Sequence, residues 1–142
     1  MNTSTELGRI LAIDYGDKRI GLAVSDPMQQ FAFGLSTIHV RRPSDVPNQI
    51  IQALDGREIA LILMGLPLNM DGTEGPRAQI TRAFGEDLAN QLKLPIQYVD
   101  ERLTSMEAED RLSAQGIQPS RNKGAVDQAA AQLILEQYLA NR

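Results

Sequence analysis

The stretch ILAIDYGDKRIGLAVSD, residues 10–26, decides the fold. It consists of two apolar runs joined by the short polar link GDK, which predicts a tight hairpin between two antiparallel strands, Arg9–Tyr15 and Arg19–Ser25. Neither run has many polar interruptions, as is typical of strands covered on both faces. Asp14 ends the first strand, and a carboxylate at that position requires an explanation.

The rest of the chain predicts a mixed α/β sheet. A third extended segment, roughly residues 31–40, follows the hairpin closely and should pair antiparallel. Strand and helix alternate after it, which predicts parallel crossovers. The first helix is expected behind a Ser44 cap and ends at Gly56, and a strand follows in EIALILMG (58–65). The second helix begins at Pro76, with an apolar face at Ile80, Phe84, Leu88 and Leu92, and the fifth strand follows in PIQYVD (95–100). A third helix runs from a Thr104–Glu107 capping box to about Gly116, and a loop over 116–124 leads to a last helix over Ala125–Leu139.

Composition limits the class of protein. A chain of 142 residues suits one domain with a real core, so we expect residues 1–142 to form a single domain with a flexible tail over residues 1–8. The absence of cysteine excludes disulfides and thiolate chemistry. The polar N-terminus and the shortness of the most apolar run, IALILMGLPL (59–68), predict a soluble, cytoplasmic protein that does not enter membranes. A net charge of −4 argues mildly against nonspecific adhesion to nucleic acid.

Four acidic residues, at three places in the chain, are candidates for a shared site. Asp14 is either a turn former or a site residue at the rim of the sheet. Asp127 shares a helical stripe with alanines and should face the protein, although interaction with the helix dipole is the alternative reason for its position. Asp100 and Glu101 follow the fifth strand, at the kind of strand end where α/β sheets place their sites, and alternation along the strand does not choose between them.

Convergence of Asp14, Glu101 and Asp127 would have a chemical consequence. Two carboxylates about 4 Å apart repel by roughly 4 kcal/mol at an effective dielectric constant of about 20, so the cluster must hold a proton or a cation. Oxygen-only ligands favour Mg²⁺ or Mn²⁺. Such a site suits phosphodiester hydrolysis, in which the ions activate water and stabilise the leaving oxygen. On this hypothesis the strand ends in Asp14 because a rigid sheet is a good platform for a metal ligand.

Four ordered motifs resemble those of one known family. LAIDYGDKRIGLAVSD, LILMGLPLNMDGTEGPRA, VDERLTSMEAE and NKGAVDQAAAQLILEQYL are similar to the motifs of the YqgF family of Holliday-junction-resolvase-like proteins and pre-16S ribosomal RNA nucleases, and the match spans residues 9–139. The resemblance implies a ribonuclease H-like fold with a five-stranded mixed sheet flanked by helices. It also implies a hydrolase that processes the 5′ end of precursor 16S ribosomal RNA.

The same resemblance assigns the site residues by motif position. Asp14, Glu101 and Asp127 are the implied catalytic and metal-binding acids, with Asp100 as a fourth candidate. The resolvases proper carry a second acid after an earlier strand, whereas this chain has Asn69 and Asp71 in the segment MGLPLNMDG. The resemblance therefore favours RNA processing over the resolution of branched DNA as the activity. Ribosomal particles are further candidate partners.

Asn69, Arg102, Arg121 and Lys123 are candidates for substrate binding. Asn69 lies in a glycine-rich loop that either contacts a phosphate or is a structural turn before Pro76. Arg102 follows the acids directly and either pairs with them or binds the nucleic acid. Arg121 and Lys123 form a basic segment before the last helix, which either grips the nucleic acid backbone or is solvated.

Three classes of function compete for this sequence. The first is the metal-dependent nuclease. The second is a phosphotransferase, because DYGDKRIGLAV also resembles the first phosphate motif of the actin and sugar-kinase superfamily, but 142 residues do not supply the second lobe of those proteins. The third is a factor that assists ribosome maturation without cutting. The presence of all three acids favours the first class over the third.

Overall fold

The hairpin of residues 9–25 forms the middle of the sheet in the computed structural model, which describes residues 7–101 and 104–141, with side chains from residue 107 in the second range. Strands β1 (Arg9–Tyr15) and β2 (Arg19–Ser25) have their predicted bounds and pair antiparallel. Leu7 and Gly8, which the sequence assigns to a tail, donate backbone hydrogen bonds to the carbonyl oxygen of Pro27. The two residues that precede β1 are therefore also fixed by hydrogen bonds.

The predicted third strand is two short strands. β3 (Ala32–Gly34) and β4 (Ile38–His39) both pair antiparallel with β2, so the described residues form a sheet of six strands and not five. Between them, the Thr37 hydroxyl donates a 2.7 Å hydrogen bond to the carbonyl oxygen of Gly124. This bond draws the segment out of the sheet and interrupts the strand, which the local sequence does not reveal.

Parallel strands complete the other side of the sheet. β5 (Ile59–Leu66) lies parallel to β1, and β6 (Ile96–Asp100) lies parallel to β5, giving the order β3-β2-β1-β5-β6. The predicted crossovers are confirmed. Both parallel strands end at the same edge of the sheet as Asp14, because they run in the direction of β1.

Helices cover both faces of the sheet. α1 (Val46–Leu54) and α2 (Pro76–Leu92) pack on the face formed by Leu11 and Ile13, with Ile50 and Leu88 among the buried contacts. The opposite face carries smaller residues such as Ala12 and Ala23, and it packs against Ala131 and Ile134 of the last helix. The helices on this second side are α3 (Thr104–Ala114), which packs on α4, and α4 (Lys123–Ala140), which packs on the sheet.

Some helix predictions need correction. Asp45, and not Ser44, stands at the N-terminus of α1, because residues Pro43–Asp45 already form a 3₁₀ turn. Ile80 of the predicted apolar face of α2 is 50% exposed, since the buried side of this helix is turned towards Ala78, Thr81 and Gly85. The capping contact predicted for the Thr104 side chain lies outside the described residues.

The segment predicted as a loop before the last helix is partly helical. Pro119–Arg121 form a 3₁₀ turn, and α4 begins at Lys123, two positions before the predicted start. The Asn122 side chain caps the helix by accepting a hydrogen bond from the Ala125 backbone N–H. In the part of the chain that the structure describes, no helix is long and apolar enough to cross a membrane.

Candidate active site

Asp14 projects from β1 towards α4 at the rim of the sheet. Side chains alternate along a strand, and Ile10 and Ala12 belong to the buried cluster on the α4 side. Asp14 continues this row, whereas Ile13 and Tyr15 belong to the opposite cluster. The carboxylate is partly buried and lies at the edge where β5 and β6 also end.

Two glycines make space around Asp14. Gly21 is its cross-strand partner on β2, and Gly65 follows Met64, the parallel partner of Ile13 on β5. A side chain on Gly21 would collide with the backbone of Asp127, and a side chain on Gly65 would collide with the carboxylate of Glu101. The missing side chains therefore allow one acid to approach Asp14 from α4 and another from the end of β6.

These glycines were not recognised from the sequence as site residues, although the signal was present. A glycine inside a buried strand often marks a place where a ligand or another segment of backbone approaches closely. Gly21 and Gly65 both interrupt otherwise apolar strands. Each glycine leaves the space that a neighbouring acid, or the backbone that carries it, occupies.

Replacing Gly65 by alanine should therefore destabilise the protein and disturb the site. The new methyl group would meet the Glu101 carboxylate and lie 2.7 Å from Ile134 Cδ1, so we expect a loss of about 1–3 kcal/mol in the free energy of unfolding. Gly124→Ala is the matched control, because the nearest atom there is 3.7 Å away. Denaturant unfolding of both variants measures the difference, and equal stabilities would contradict this account of Gly65.

Glu101, and not Asp100, is the acid that meets Asp14. The side chain of Glu101 forms a hydrogen bond with that of Asp14, while Asp100 is exposed. Val99, two positions before Glu101, packs in the cluster on the α4 side, so strand alternation directs Glu101 to the same side as Asp14. The sequence left this choice open because it depends on where β6 ends.

The two carboxyl groups share a proton in the absence of a cation. Burial, the charge of Asp14 and the hydrogen bond to it together raise the pKa of Glu101 to about 9. Burial also raises the pKa of Asp14, while the hydrogen bond from Glu101 lowers it. Because the shared hydrogen bond raises the pKa of Glu101 and lowers that of Asp14, Glu101 is the donor of the pair and Asp14 the acceptor.

Arg77, in the first turn of α2, is another residue of the site that the sequence did not single out. Its positive charge lowers the pKa of both Asp14 and Glu101. Arg77 Nη1 lies 2.6 Å from Asp17 Oδ1, and Nη2 donates to the Tyr15 carbonyl oxygen at 3.3 Å. The guanidinium is therefore fixed at the rim by the β1–β2 hairpin. Its position directly after Pro76, at the start of a helix that follows a site loop, was the available signal.

Asp127 lies close to this pair but is occupied by another partner. It is the fifth residue of α4, just after the first turn, and Arg19 Nε lies 2.8 Å from its Oδ2. The charge of Asp127 raises the pKa of Asp14, so the two carboxylates act on one another. Burial raises the pKa of Asp127 itself, and Arg19 opposes that effect.

The expected cluster of three acids is therefore not assembled among the described side chains. Within residues 7–101 and 104–141, no three acidic, histidine or cysteine side chains lie close enough together to hold a metal ion. The oxygen donors of Asp14 and Glu101 fit a hard divalent cation. Asp127 does not contribute while Arg19 holds its carboxylate.

The candidate substrate residues lie in different surroundings. Asn69 is engaged within its own loop, since its Nδ2 donates to Thr73 Oγ1 at 3.0 Å and its backbone N–H donates to the Thr73 carbonyl oxygen. Arg102 lies outside the described residues. Arg121 is exposed on the 3₁₀ turn, and Lys123 is exposed at the start of α4.

A groove runs beside Asp127. Its volume is about 510 Å³, and it is lined by Arg19, Glu109, Pro119, Ser120, Lys123, Val126 and Asp127. Besides Asp127, the lining has two basic side chains, Arg19 and Lys123, and one acidic side chain, Glu109. The Ser120 hydroxyl and the basic groups are hydrogen-bond donors suited to a phosphodiester backbone. The groove therefore places Arg19 and Lys123 alongside Asp127.

Comparison with protein families identifies one match over nearly the whole chain. Residues 8–141 match the model of the family described as "RuvX: Holliday junction resolvase". A Synechococcus elongatus protein named "Putative pre-16S rRNA nuclease" is 47% identical over 130 residues, covering 91% of this chain and 87% of that protein. A Chloroflexus aurantiacus protein of the same name is 40% identical over 133 residues, covering 94% of this chain and 87% of that protein.

A solved structure shares the fold. T. thermophilus RuvC in complex with a Holliday junction substrate has a TM-score of 0.59 to this chain, covering 94% of this chain and 97% of that one at 13% identity. Likeness at this level of identity concerns the fold alone. The predicted ribonuclease H-like architecture, with helices on both faces of a mixed sheet, is confirmed.

Proposed function

We propose that this chain, which belongs to the RuvX family of Holliday junction resolvases, also written YqgF, is a metal-dependent nuclease that processes the 5′ end of precursor 16S ribosomal RNA. The observation that carries the proposal is the pair of hydrogen-bonded carboxyl groups, Asp14 and Glu101, at the rim of the sheet. Their burial together has a cost in free energy, since two like charges must be relieved by a proton or a cation. A structural role alone does not explain that cost.

Asp14 and Glu101 would hold a Mg²⁺ or Mn²⁺ ion, with Asp127 as a third ligand once its carboxylate is free of Arg19. A bound ion of this kind supplies positive charge at the scissile phosphate and lowers the pKa of the attacking water. The contribution of the chain is to fix two oxygen donors on a rigid sheet. Glu101 must lose its proton before both carboxylates carry charge, so binding of the cation is coupled to proton release.

The basic residues around the acids would position the nucleic acid. Arg77 is held at the rim beside Asp14 and Glu101, where its guanidinium suits a phosphate oxygen. Lys123 in the groove would neutralise phosphates near the scissile bond, together with Arg121, two positions before it, and Arg102, which follows Glu101 in the sequence. Asn69 would act through the shape of its loop, since its side chain is engaged with Thr73.

The choice of RNA as the substrate rests on the relatives. The two curated relatives reported above carry RNA nuclease names at 40% and 47% identity, whereas RuvC, whose structure contains a Holliday junction, shares 13% identity. Branched DNA is the second candidate, favoured by the description of the matching family. Ribosomal precursor particles in the cytoplasm would be the natural setting for the first activity, and the whole of residues 1–142 would act as one nuclease domain.

Incubation with matched substrates tests the proposal. Purified protein would be given a precursor 16S RNA fragment, a mature 16S fragment and a synthetic four-way DNA junction, each with Mg²⁺, with Mn²⁺ or with chelator. We expect metal-dependent cleavage of the precursor RNA near the mature 5′ end. Cleavage of the junction alone would replace RNA with branched DNA as the substrate, and binding of precursor RNA without any cleavage would support a non-catalytic maturation factor.

A further inference from the structure

Arg19 and Asp127 form an ion pair at the edge of the candidate site. They are 108 positions apart in the sequence, and the pair joins the start of β2 to the N-terminal part of α4. Arg19 Nε lies 2.8 Å from Asp127 Oδ2, and the two side chains are only 29% and 21% exposed. The contact is therefore stronger than a solvated surface pair, because partial burial reduces screening by water and salt.

The geometry of the contact allows exchange. Arg19 meets Asp127 through Nε, whereas Arg82 and Arg111 each hold their glutamate partners, Glu74 and Glu136, through two guanidinium nitrogens. Two parallel hydrogen bonds give an arginine–carboxylate pair its full strength and geometric definition. A pair made through one nitrogen leaves the second carboxylate oxygen available to another cation.

The backbone already places Asp127 beside Asp14. Gly21 is the cross-strand partner of Asp14. A side chain on Gly21 would meet the carbonyl group and the Cβ atom of Asp127, so α4 lies directly against this glycine. Asp127 thus joins α4 beside the cross-strand partner of Asp14, so a change of its side-chain rotamer can move its carboxylate towards the acid pair without movement of α4.

We propose that Arg19 is a positioning residue for Asp127: in the metal-free protein its guanidinium occupies the place of a cation at this carboxylate, and it gives up Asp127 to a divalent ion held by Asp14 and Glu101. This inference rests on the proposed metal-dependent function. It explains why Asp127 pairs with Arg19 while Asp14 and Glu101 pair with one another. Arg19 competes with the ion, and it also prevents the repulsion that a free Asp127 would add to the acid pair.

Titration calorimetry with Mn²⁺ tests the inference on the full chain. We compare the wild type with Arg19→Gln and with the matched control Arg111→Gln, which removes another ion pair of α4 outside the lining of the groove. We expect Arg19→Gln to bind Mn²⁺ about three- to tenfold more tightly, because the competing cation is gone. Arg111→Gln should bind Mn²⁺ as the wild type does. A purely structural role of Arg19 predicts weaker binding in Arg19→Gln, since the site would lose order.

The effect of Arg19→Gln on the Mn²⁺ affinity must also depend on Asp127. In an Asp127→Asn background, adding Arg19→Gln should leave the Mn²⁺ affinity unchanged, because the carboxylate for which the two cations compete is absent. Arg19→Lys retains the charge and provides a second variant if Arg19→Gln unfolds; we expect its affinity to fall between those of the wild type and Arg19→Gln.

The outcomes separate this inference from the proposed function. Equal or weaker Mn²⁺ binding by both Arg19 variants, in a protein that binds Mn²⁺ and cleaves its substrate, would overturn the role of Arg19 and leave the nuclease intact. An effect of Arg19→Gln that persists in the Asp127→Asn background would overturn it as well. If the wild type neither binds Mn²⁺ nor cleaves any substrate, the proposed function fails, and the inference that rests on it fails too.

Discussion

Replacement of Asp14 by asparagine should reduce metal-dependent cleavage at least about a thousandfold, the size of loss typical of a residue at the centre of a catalytic unit. Asparagine has nearly the same shape, and its Oδ1 still accepts a hydrogen bond from a protonated Glu101. The substitution removes the charge that draws a cation to the site. Loss of activity would therefore report on chemistry and not on folding.

Two measurements make this result specific. Asp87→Asn is the matched control, since Asp87 is an exposed acid towards the end of α2 that contacts Gln91; its cleavage rate should remain within about twofold of the wild type, as for most surface substitutions. Thermal melting without metal should show Asp14→Asn to be folded. Equal cleavage by Asp14→Asn and the wild type would mean that Asp14 does not take part in the reaction.

The pH dependence of stability should show a second large effect, in the metal-free protein. The pKa of Glu101 in the folded protein, about 9, is above its ordinary value of 4.5, so the folded state holds this proton more tightly than the unfolded chain does. Its contribution to stability is complete below about pH 4.5 and is lost as the pH rises to about 9. Within that window the free energy of unfolding should fall by as much as about 1.4 kcal/mol per pH unit, the limit for one proton.

Glu101→Gln should flatten this dependence. The glutamine amide donates a hydrogen bond to Asp14 at every pH, so the variant should overtake the wild type in stability as the pH rises. Glu58→Gln, at an exposed position before β5, is the control and should follow the wild-type curve. Urea unfolding from pH 5 to pH 9 in the presence of chelator measures all three proteins. Parallel curves for wild type and Glu101→Gln would show that the acid pair does not hold the proton.

The central part of the fold was predictable because its determinants are local. The apolar runs on either side of GDK have the bounds of β1 and β2, and the strand–helix alternation predicts the parallel order of β5 and β6. The division of the third strand was not predictable, because it depends on the hydrogen bond from Thr37 to Gly124, 87 positions away. Local patterns contain no information about such a contact.

The candidate site was predictable to the same extent. Strand ends and helical spacing make Asp14, Asp127 and one of Asp100 and Glu101 candidates for one region, and the family resemblance selects Glu101. The choice of Glu101 over Asp100 depends on where β6 ends, and the pairing of Asp127 with Arg19 depends on the docking of α4 against Gly21. Arg77 reaches the acids only because α2 begins beside the hairpin. These tertiary contacts set the charge state of the site, which the order of residues alone does not determine.

Anomalous diffraction from crystals soaked in Mn²⁺ is the most direct test of the claim that Asp14 and Glu101 form a divalent metal site. The account predicts a manganese peak at a coordination distance of about 2 Å from a carboxylate oxygen of each residue, with their mutual hydrogen bond broken. It would be contradicted by crystals in which manganese binds only elsewhere on the surface while Asp14 and Glu101 remain hydrogen-bonded to one another.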